Sequence, residues 1–256
     1  METDEIEVTG DGVVTTFMIK RLAAKNSLST SASRALKAAF REFEADQAAK
    51  VGVVCGAGGA FCAGADLKEL STGVVYEAWA GDLDGLLGRP LEKPLIAAVE
   101  GHAVAGGLGL ALYCDIRIAD TTAVFGVFCR RFGVPMSDGT TVRLPRLIGE
   151  SRAMELMLTG RAVDAQEARA IGLVAEVVPA GTARGRAEAL AHEIAGFPEL
   201  AMRSDRESLL ASRGLSLEAA LKTEARLAET AKRAEAQSGA SRFAAGAGRH
   251  GGSANA

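Results

Sequence analysis

The sequence predicts an α/β fold followed by a helical C-terminal region. Three observations predict it. Short β-branched runs alternate with segments of helical period through the first three quarters of the chain. Several of those runs are uniformly apolar and closed by glycine, as strands covered on both faces are. From about Phe197 the strands vanish, and Leu, Ala, Glu and Arg dominate through Arg233. Repeating strand–strand–helix units of this kind imply sheets covered by helices. The expected division is an α/β core over 1–196, a helical region over 197–245 and a flexible tail over 246–256.

In order, "GVVTTFMIK" (Gly12 to Lys20) alternates and reads as a strand. After Ser29, Leu36, Phe40 and Phe43 recur at i, i+4 and i+7, one face of an amphipathic helix. "VGVVCG" is a buried strand. "PLIAAVEG" repeats the pattern, leading through "GLGLALYC", a helix, to the strands "DIRIA" and "AVFGV". A helix opens near Ser151. Another opens at Asp164, where Asp164 and Glu167 have capping-box spacing. "LVAEVV" closes the core. The tail "SGASRFAAGAGRHGGSANA" is too poor in large apolar groups to fold alone. Its formal GxGxxG, Gly246 to Gly251, follows no strand and does not read as a dinucleotide site.

With 256 residues, 48% of them hydrophobic, and a net charge of −3, there is material for a sizeable core and no electrostatic field for nucleic acid. Cys55, Cys62, Cys114 and Cys129 form no CxxC pair, so neither a metal site nor a disulfide framework is expected. The acidic start lacks the apolar run of a signal peptide. No apolar stretch is long enough to span a bilayer. These features place the chain in the cytoplasm, with small molecules or copies of itself as partners, and neither nucleic acid nor membrane.

Two stretches carry the chemistry. "FCAGADLKEL" (Phe61 to Leu70) follows the strand Val51–Cys55 across "GAGGA", crowding small residues where a helix begins. In "AAVEGHAVAGGLGLALYCDI" a strand, Ile96 to Val99, leads through Gly101, Ala105, Gly106 and Gly107 into a helix. Each turn leaves free N–H groups pointing outward, and Gly106 and Gly107 let a ligand approach the amides. Either turn alone also fits a simple packing role.

Together, "FCAGADL" and "GHAVAGGLGLALYCDIRIA" resemble the paired signature of the crotonase family, the enoyl-CoA hydratase/isomerase superfamily. The likeness extends upstream to "RLAAKNSLS" and downstream through "LPRLIGESRAMELMLTGRAVDAQEARAIGLVAEVVP", roughly Val8 to Pro179. The resemblance implies a spiral of strand–strand–helix units and an acyl-CoA thioester as substrate. Coenzyme A would be part of that substrate, with no bound cofactor and no metal. It also implies a homotrimer or a dimer of trimers, assembled through the C-terminal helices. By position, the amides of Ala65 and Gly106 would polarise the thioester carbonyl. Ala63, Asp66 and Leu67 would line the adenine and pantetheine part, with Gly107 beside the second amide. Ala24 and Lys25 match the N-terminal coenzyme A stretch, where Lys25 is either a phosphate contact or a solvated lysine.

The sequence departs from the family at the proton chemistry. The two hydratase glutamates fall at Gly109, at i+3 from Gly106, and at Cys129. Neither can replace a carboxylate: glycine does no acid–base work and a buried thiol stays neutral. Asp138 in "GVPMSDGTTVRL" is the next candidate, because some non-hydratase branches carry an aspartate in this loop. Its turn setting equally suits local hydrogen bonding. Phe128, Phe132 and Met136 would supply the apolar walls that raise a carboxyl pKa. Glu69, Tyr76, Glu77 and Trp79 are further candidates for the acyl pocket, while Asp115, His102, His192 and His250 read as structural. The leading expectation is single-base enolate chemistry, such as double-bond isomerisation. A hydratase with a non-standard acid/base, a non-catalytic acyl-CoA-binding protein and, least, a nicotinamide-dependent oxidoreductase are the alternatives.

Overall fold

The computed structural model of the chain describes residues 5–73 and 83–247. It forms two compact units, Met1–His192 and Glu193–Ala256. The boundary falls inside one helix, a few residues before the change of composition at Phe197.

In the first unit, β1 (Ile6–Gly10) and β2 (Val14–Ile19) form an antiparallel hairpin. Next come α1 (Thr30–Ala45), β3 (Val51–Gly56), the single-turn α2 (Leu67–Leu70) and β4 (Leu95–Val99). From there to β7 the chain switches sheets at every strand. It runs β5 (His102–Val104), α3 (Gly106–Tyr113), β6 (Ile116–Asp120), β7 (Val124–Gly126), α4 (Thr140–Ile148), α5 (Glu150–Thr159), β8 (Val163–Asp164), α6 (Ala165–Ala170), β9 (Glu176–Val178) and α7 (Ala183–Ala195). One sheet has the order β1-β2-β3-β4-β6-β9 and the other β5-β7-β8. Beyond the first hairpin the large sheet is parallel. β4 and β6 lie in one sheet and β5 and β7 in the other, so each strand–strand–helix unit makes one turn of a spiral.

The core follows the sequence pattern closely. Leu36, Phe40 and Phe43 of α1 are buried, and Phe17 of β2 meets the rings of Phe40 and Phe43 edge-on at 4.9 and 5.5 Å. Ser29 caps α1, accepting from the Ala32 N–H at 3.1 Å. At its other end, buried Lys93 donates to the carbonyls of Phe43 and Asp46 at 2.6 and 2.5 Å. α3 is buried on every side, which only an all-apolar helix tolerates. Its last carbonyls need donors, and buried Arg117 supplies them: Nη1 reaches Cys114 O at 2.7 Å and Ala111 O at 3.3 Å, while Nε reaches Leu173 O at 2.7 Å.

Several elements differ from expectation. β1 lies in a segment legible only as acidic, and it forms because hairpin pairing with β2 covers it. Three-residue β5 and two-residue β8 are too short to show alternation. α4 carries an internal proline, Pro145, and follows a glycine-closed turn that masked it. The capping box at Asp164 is half made. Asp164 accepts from the Glu167 N–H at 2.8 Å, but the Glu167 carboxylate turns instead to Arg161.

In the second unit, α8 (Glu199–Ala211) packs against α9 (Leu217–Ala231). A π-turn over Lys232–Ala236 then leads into α10 (Gln237–Ala244). Helix thus runs to Ala244. The GxGxxG stretch runs outside the described residues. Among the described residues no helix is long and apolar enough to cross a membrane.

Arg117→Met would leave the C-terminal carbonyls of α3 and that of Leu173 buried without these donors. It is expected to lower unfolding stability by about 3 kcal/mol, read as a fall in the urea midpoint at unchanged m-value.

Candidate active site

The first small-residue turn is held from both sides by backbone pairing. The Cys62 N–H donates to His102 O at 2.8 Å, and the Val104 N–H returns to Cys62 O at 3.1 Å, stitching the turn to β5. On its other side the Leu28 N–H donates to Gly64 O at 2.7 Å and the Asp66 N–H to Leu28 O at 3.0 Å. Along an extended chain successive amides face opposite ways. Pairing Gly64 and Asp66 with Leu28 therefore turns the Ala65 N–H outward, and it has no acceptor among the described residues.

The second turn does the same at the start of α3. Ala105 is its N-cap, with φ 51° and ψ −126°, a conformation costly for any residue with a Cβ, worth about 1–3 kcal/mol. Its own N–H donates to Gly126 O at 2.9 Å. Gly106, the first helical residue, has an N–H with no acceptor among the described residues, at the positive end of the helix.

Glycines let the two turns touch. Gly64, at φ +95°, would place a Cβ 2.8 Å from the Gly106 nitrogen, and Gly107 would place one 1.9 Å from Cys62 O. This corrects the reading of Gly107: it does not line the cavity, and its missing side chain admits a backbone carbonyl rather than a ligand. Ala65 and Gly106 both line one cavity of about 690 Å³, together with Ala24, Ala63, Leu67 and Cys129.

Asp138 closes the far wall, only 4% exposed. Its Oδ1 accepts from the Thr140 N–H at 2.9 Å, the Asx-type bond expected of such a turn. Burial pushes its carboxyl above the ordinary range, while that N–H and the Arg143 guanidinium hold back part of the shift. The turn is clamped by Arg143, which donates to Asp138 O at 3.0 Å and also to Leu87 O. A Cβ on Gly109 would lie 2.4 Å from Asp138 Cγ and 2.6 Å from its Oδ2. The carboxyl group thus occupies the space into which a side chain from this position of α3 would project.

The Cys129 thiol lies 2.9 Å from the Met136 sulfur, and burial and the nearby Asp138 push its pKa up. Arg130 and Arg131 bond the carbonyls of Met157 and Gly160, and the Arg130 charge offsets only part of that rise. Cys129 is a neutral wall beside Met136 and half-buried Phe128. Phe132 lines the rim at 68% exposure, so it screens Asp138 less than the others.

The coenzyme A candidates divide. The Asp66 carboxylate is already engaged, capping α2 through the Lys68 and Glu69 N–H groups and pairing with Arg21 at 2.8 Å. Burial alone would raise its pKa, but Arg21 and the two N–H donors hold it low. Lys25 is exposed and does not line the cavity; its carbonyl accepts from the Ala63 N–H at 3.0 Å. The one cation among the described lining residues is Lys68, which sequence reasoning missed although it stands two residues beyond Asp66. Glu69 is structural, its Oε2 accepting from the Thr30 N–H at 2.9 Å. Asp115 accepts from the Leu95 N–H at 2.9 Å, and His192 pairs with Asp11 at 3.0 Å. His102 serves through its carbonyl, which accepts from Cys62. Tyr76, Glu77, Trp79 and His250 lie outside the described residues. Among the described residues no cluster of three or more His, Cys, Asp or Glu side chains could hold a metal.

A family model described as enoyl-CoA hydratase/isomerase matches residues 9–246. A probable enoyl-CoA hydratase of Mycobacterium tuberculosis, echA8, is 36% identical over 240 residues, 93% of either chain. A probable mitochondrial enoyl-CoA hydratase of Dictyostelium discoideum is 37% identical over 84% of this chain and 78% of its own length. The crystal structure of the enoyl-CoA hydratase EchA1 from Mycobacterium marinum superposes with a TM-score of 0.89 at 36% identity, covering 95% of this chain and 96% of that one.

Because the Asp138 carboxyl is held above its ordinary value of about 3.9, the folded chain keeps a proton that the unfolded chain releases. Stability is then lost as pH rises from the unfolded value through the folded one. Asp138→Asn removes that loss. It is expected to melt higher than the parent at pH 7, with the difference closing below pH 4, as thermal unfolding at the two pH values will report.

Proposed function

Because the chain belongs to the enoyl-CoA hydratase/isomerase family, we propose that it is an enoyl-CoA isomerase working with a single carboxylate, Asp138. The observation that carries this reading is the contact between Asp138 and Gly109. α3 has no glutamate at Gly109, and the Asp138 carboxyl reaches the same volume from the loop after β7.

The thioester oxygen sits between the Ala65 and Gly106 N–H groups. Ionised Asp138 takes a proton from C2 of a β,γ-enoyl thioester, and the C–H electron pair moves into the carbonyl. The resulting dienolate oxygen is held by the two amides, each donor typically worth 10²–10³ in rate. Asp138, now protonated, returns the proton to C4, and the double bond ends between C2 and C3. One base suffices because the same carboxyl that removes a proton from C2 delivers one to C4, after its own proton has had the chance to exchange with solvent. A carboxyl pKa raised by burial suits both halves. Lys68 at the rim provides a point charge for a coenzyme A phosphate, and no bound cofactor takes part. Assembly as a homotrimer or dimer of trimers and a place in fatty acid metabolism belong to the same reading.

Hydration is the second reading, favoured by the names of the relatives. Asp138 would then have to activate water and protonate C2 in turn. A 3-enoyl-CoA and a trans-2-enoyl-CoA, each incubated with the protein in deuterated, ¹⁸O-labelled water, separate the readings. Isomerisation predicts 2-enoyl product with deuterium at C2 or C4 and no ¹⁸O. A 3-hydroxyacyl product carrying ¹⁸O would establish hydration instead. Thioester binding with no exchange at any carbon would leave a purely binding role.

Asp138→Asn is expected to cut kcat by about 10²–10⁴ at nearly unchanged thioester affinity; full turnover would remove Asp138 from the chemistry. Gly109→Ala, whose methyl would meet the carboxyl, is expected to lower kcat about tenfold or more, with folding checked by circular dichroism.

A further inference from the structure

Asp138 has one oxygen on the Thr140 N–H, and the other faces the bare surface of α3 at Gly109. Thr140, two residues on and the first residue of α4, is fully buried. Its hydroxyl has no hydrogen-bond partner among the described residues. Leaving such a group unpaired costs about 1–3 kcal/mol, and valine would fill nearly the same volume without that cost. The same residue's N–H already bonds Asp138 Oδ1 at 2.9 Å, which makes that buried carboxyl the polar group the hydroxyl can turn to, and its presence favours the ionised form.

We infer that Thr140 is a positioning residue whose hydroxyl is held in reserve for Asp138. It donates to the carboxylate while that group waits as a base, and accepts from the carboxylic acid once the proton has been taken up. A hydroxyl fits this use because its hydrogen rotates, so one atom serves as donor in one state and acceptor in the other. The bond to a charged partner is the stronger of the two. Thr140 therefore keeps the buried acid from rising so far that it could no longer ionise near neutrality.

The other charged or titratable groups bearing on Asp138 cannot make this exchange. Arg143 of α4 spends its guanidinium on backbone carbonyls and the face of Tyr113. Cys129 and Cys62 are buried thiols, the latter pushed up to about 12. α3 offers only Gly109. The inference rests on the proposed role of Asp138, but its test does not depend on turnover.

The experiment titrates the Asp138 carboxyl by infrared difference spectroscopy of ¹³C-aspartate-labelled protein against Asp138→Asn, in the parent, Thr140→Val and Thr140→Ser. The acid limb of kcat/KM is followed alongside with a 3-enoyl-CoA such as trans-3-hexenoyl-CoA. In Thr140→Val the carboxyl is expected to titrate about one unit higher, and the limb to move with it. Thr140→Ser keeps both at the parent values. Because a carboxyl held further above its unfolded value gives up more stability as pH rises, folded Thr140→Val is expected to melt lower than the parent at pH 7, with the difference narrowing below pH 4. An unmoved titration in folded Thr140→Val overturns the inference, as does a serine variant that behaves like the valine one. If the valine variant does not fold, Thr140→Ala gives the same readout. If Asp138→Asn keeps full turnover while the titration still moves, the isomerase reading falls and the assignment of Thr140 stands.

Discussion

Four of the backbone hydrogen bonds that hold the turn at Cys62–Asp66 are the constraint on which the site depends. Two join Cys62 to β5 and two join Leu28 to the residues flanking Ala65. They use the carbonyl of Gly64 and the amide of Asp66, and so leave the amide between them facing the cavity. A side-chain donor in that place would need its rotamer fixed by packing. A backbone donor is fixed by the pairing that makes the fold. Gly64 and Gly107 follow from the same requirement, since a methyl at either would drive the two turns apart. The strained backbone of Ala105 is the local cost, offset by the bond from its N–H to Gly126 and by the buried length of α3 behind it.

α3 carries the second amide, and its electrostatics are settled at both ends. An apolar helix buried on all sides cannot have its terminal groups satisfied by water. Arg117 bonds the C-terminal carbonyls, which leaves the N-terminus as the unsatisfied end, the end that faces the cavity. The positive potential there arises from the same imbalance. A guanidinium far from the cavity thus belongs to the same arrangement as the Gly106 N–H.

Much of this was legible in the sequence, for identifiable reasons. The strands β2, β3, β4 and β6 show as apolar runs, and α1 shows as Leu36, Phe40 and Phe43. The two turns show because small residues at fixed spacing mark a close approach of backbones. What was not legible depends on contacts between distant residues. Gly109 and Asp138 are far apart in the chain, and neither sequence context says that the one leaves room for the other. The engagement of Asp66 with Arg21, which makes a cap of a carboxylate that matched a coenzyme A position, is of the same kind. Lys68 was passed over because a lysine on a short helix reads as solvated. β5 was missed because three residues carry no period, although its register places the whole first turn.

The site therefore has a fixed half and an adjustable half. The amides of Ala65 and Gly106 are placed by sheet pairing and glycine contacts that run through the core, and moving either would disturb the fold. The acid is placed by a turn whose own anchors are few: the Thr140 amide, the Arg143 clamp and the fit against Gly109. A carboxylate on this loop can fill the space beside α3 without altering the amides, provided position 109 carries no side chain. Gly109 and Asp138 therefore form a single unit, because either residue alone would leave a cavity or a collision. In this sense the chain keeps the family's fold while a carboxyl from the loop after β7 fills the space beside α3.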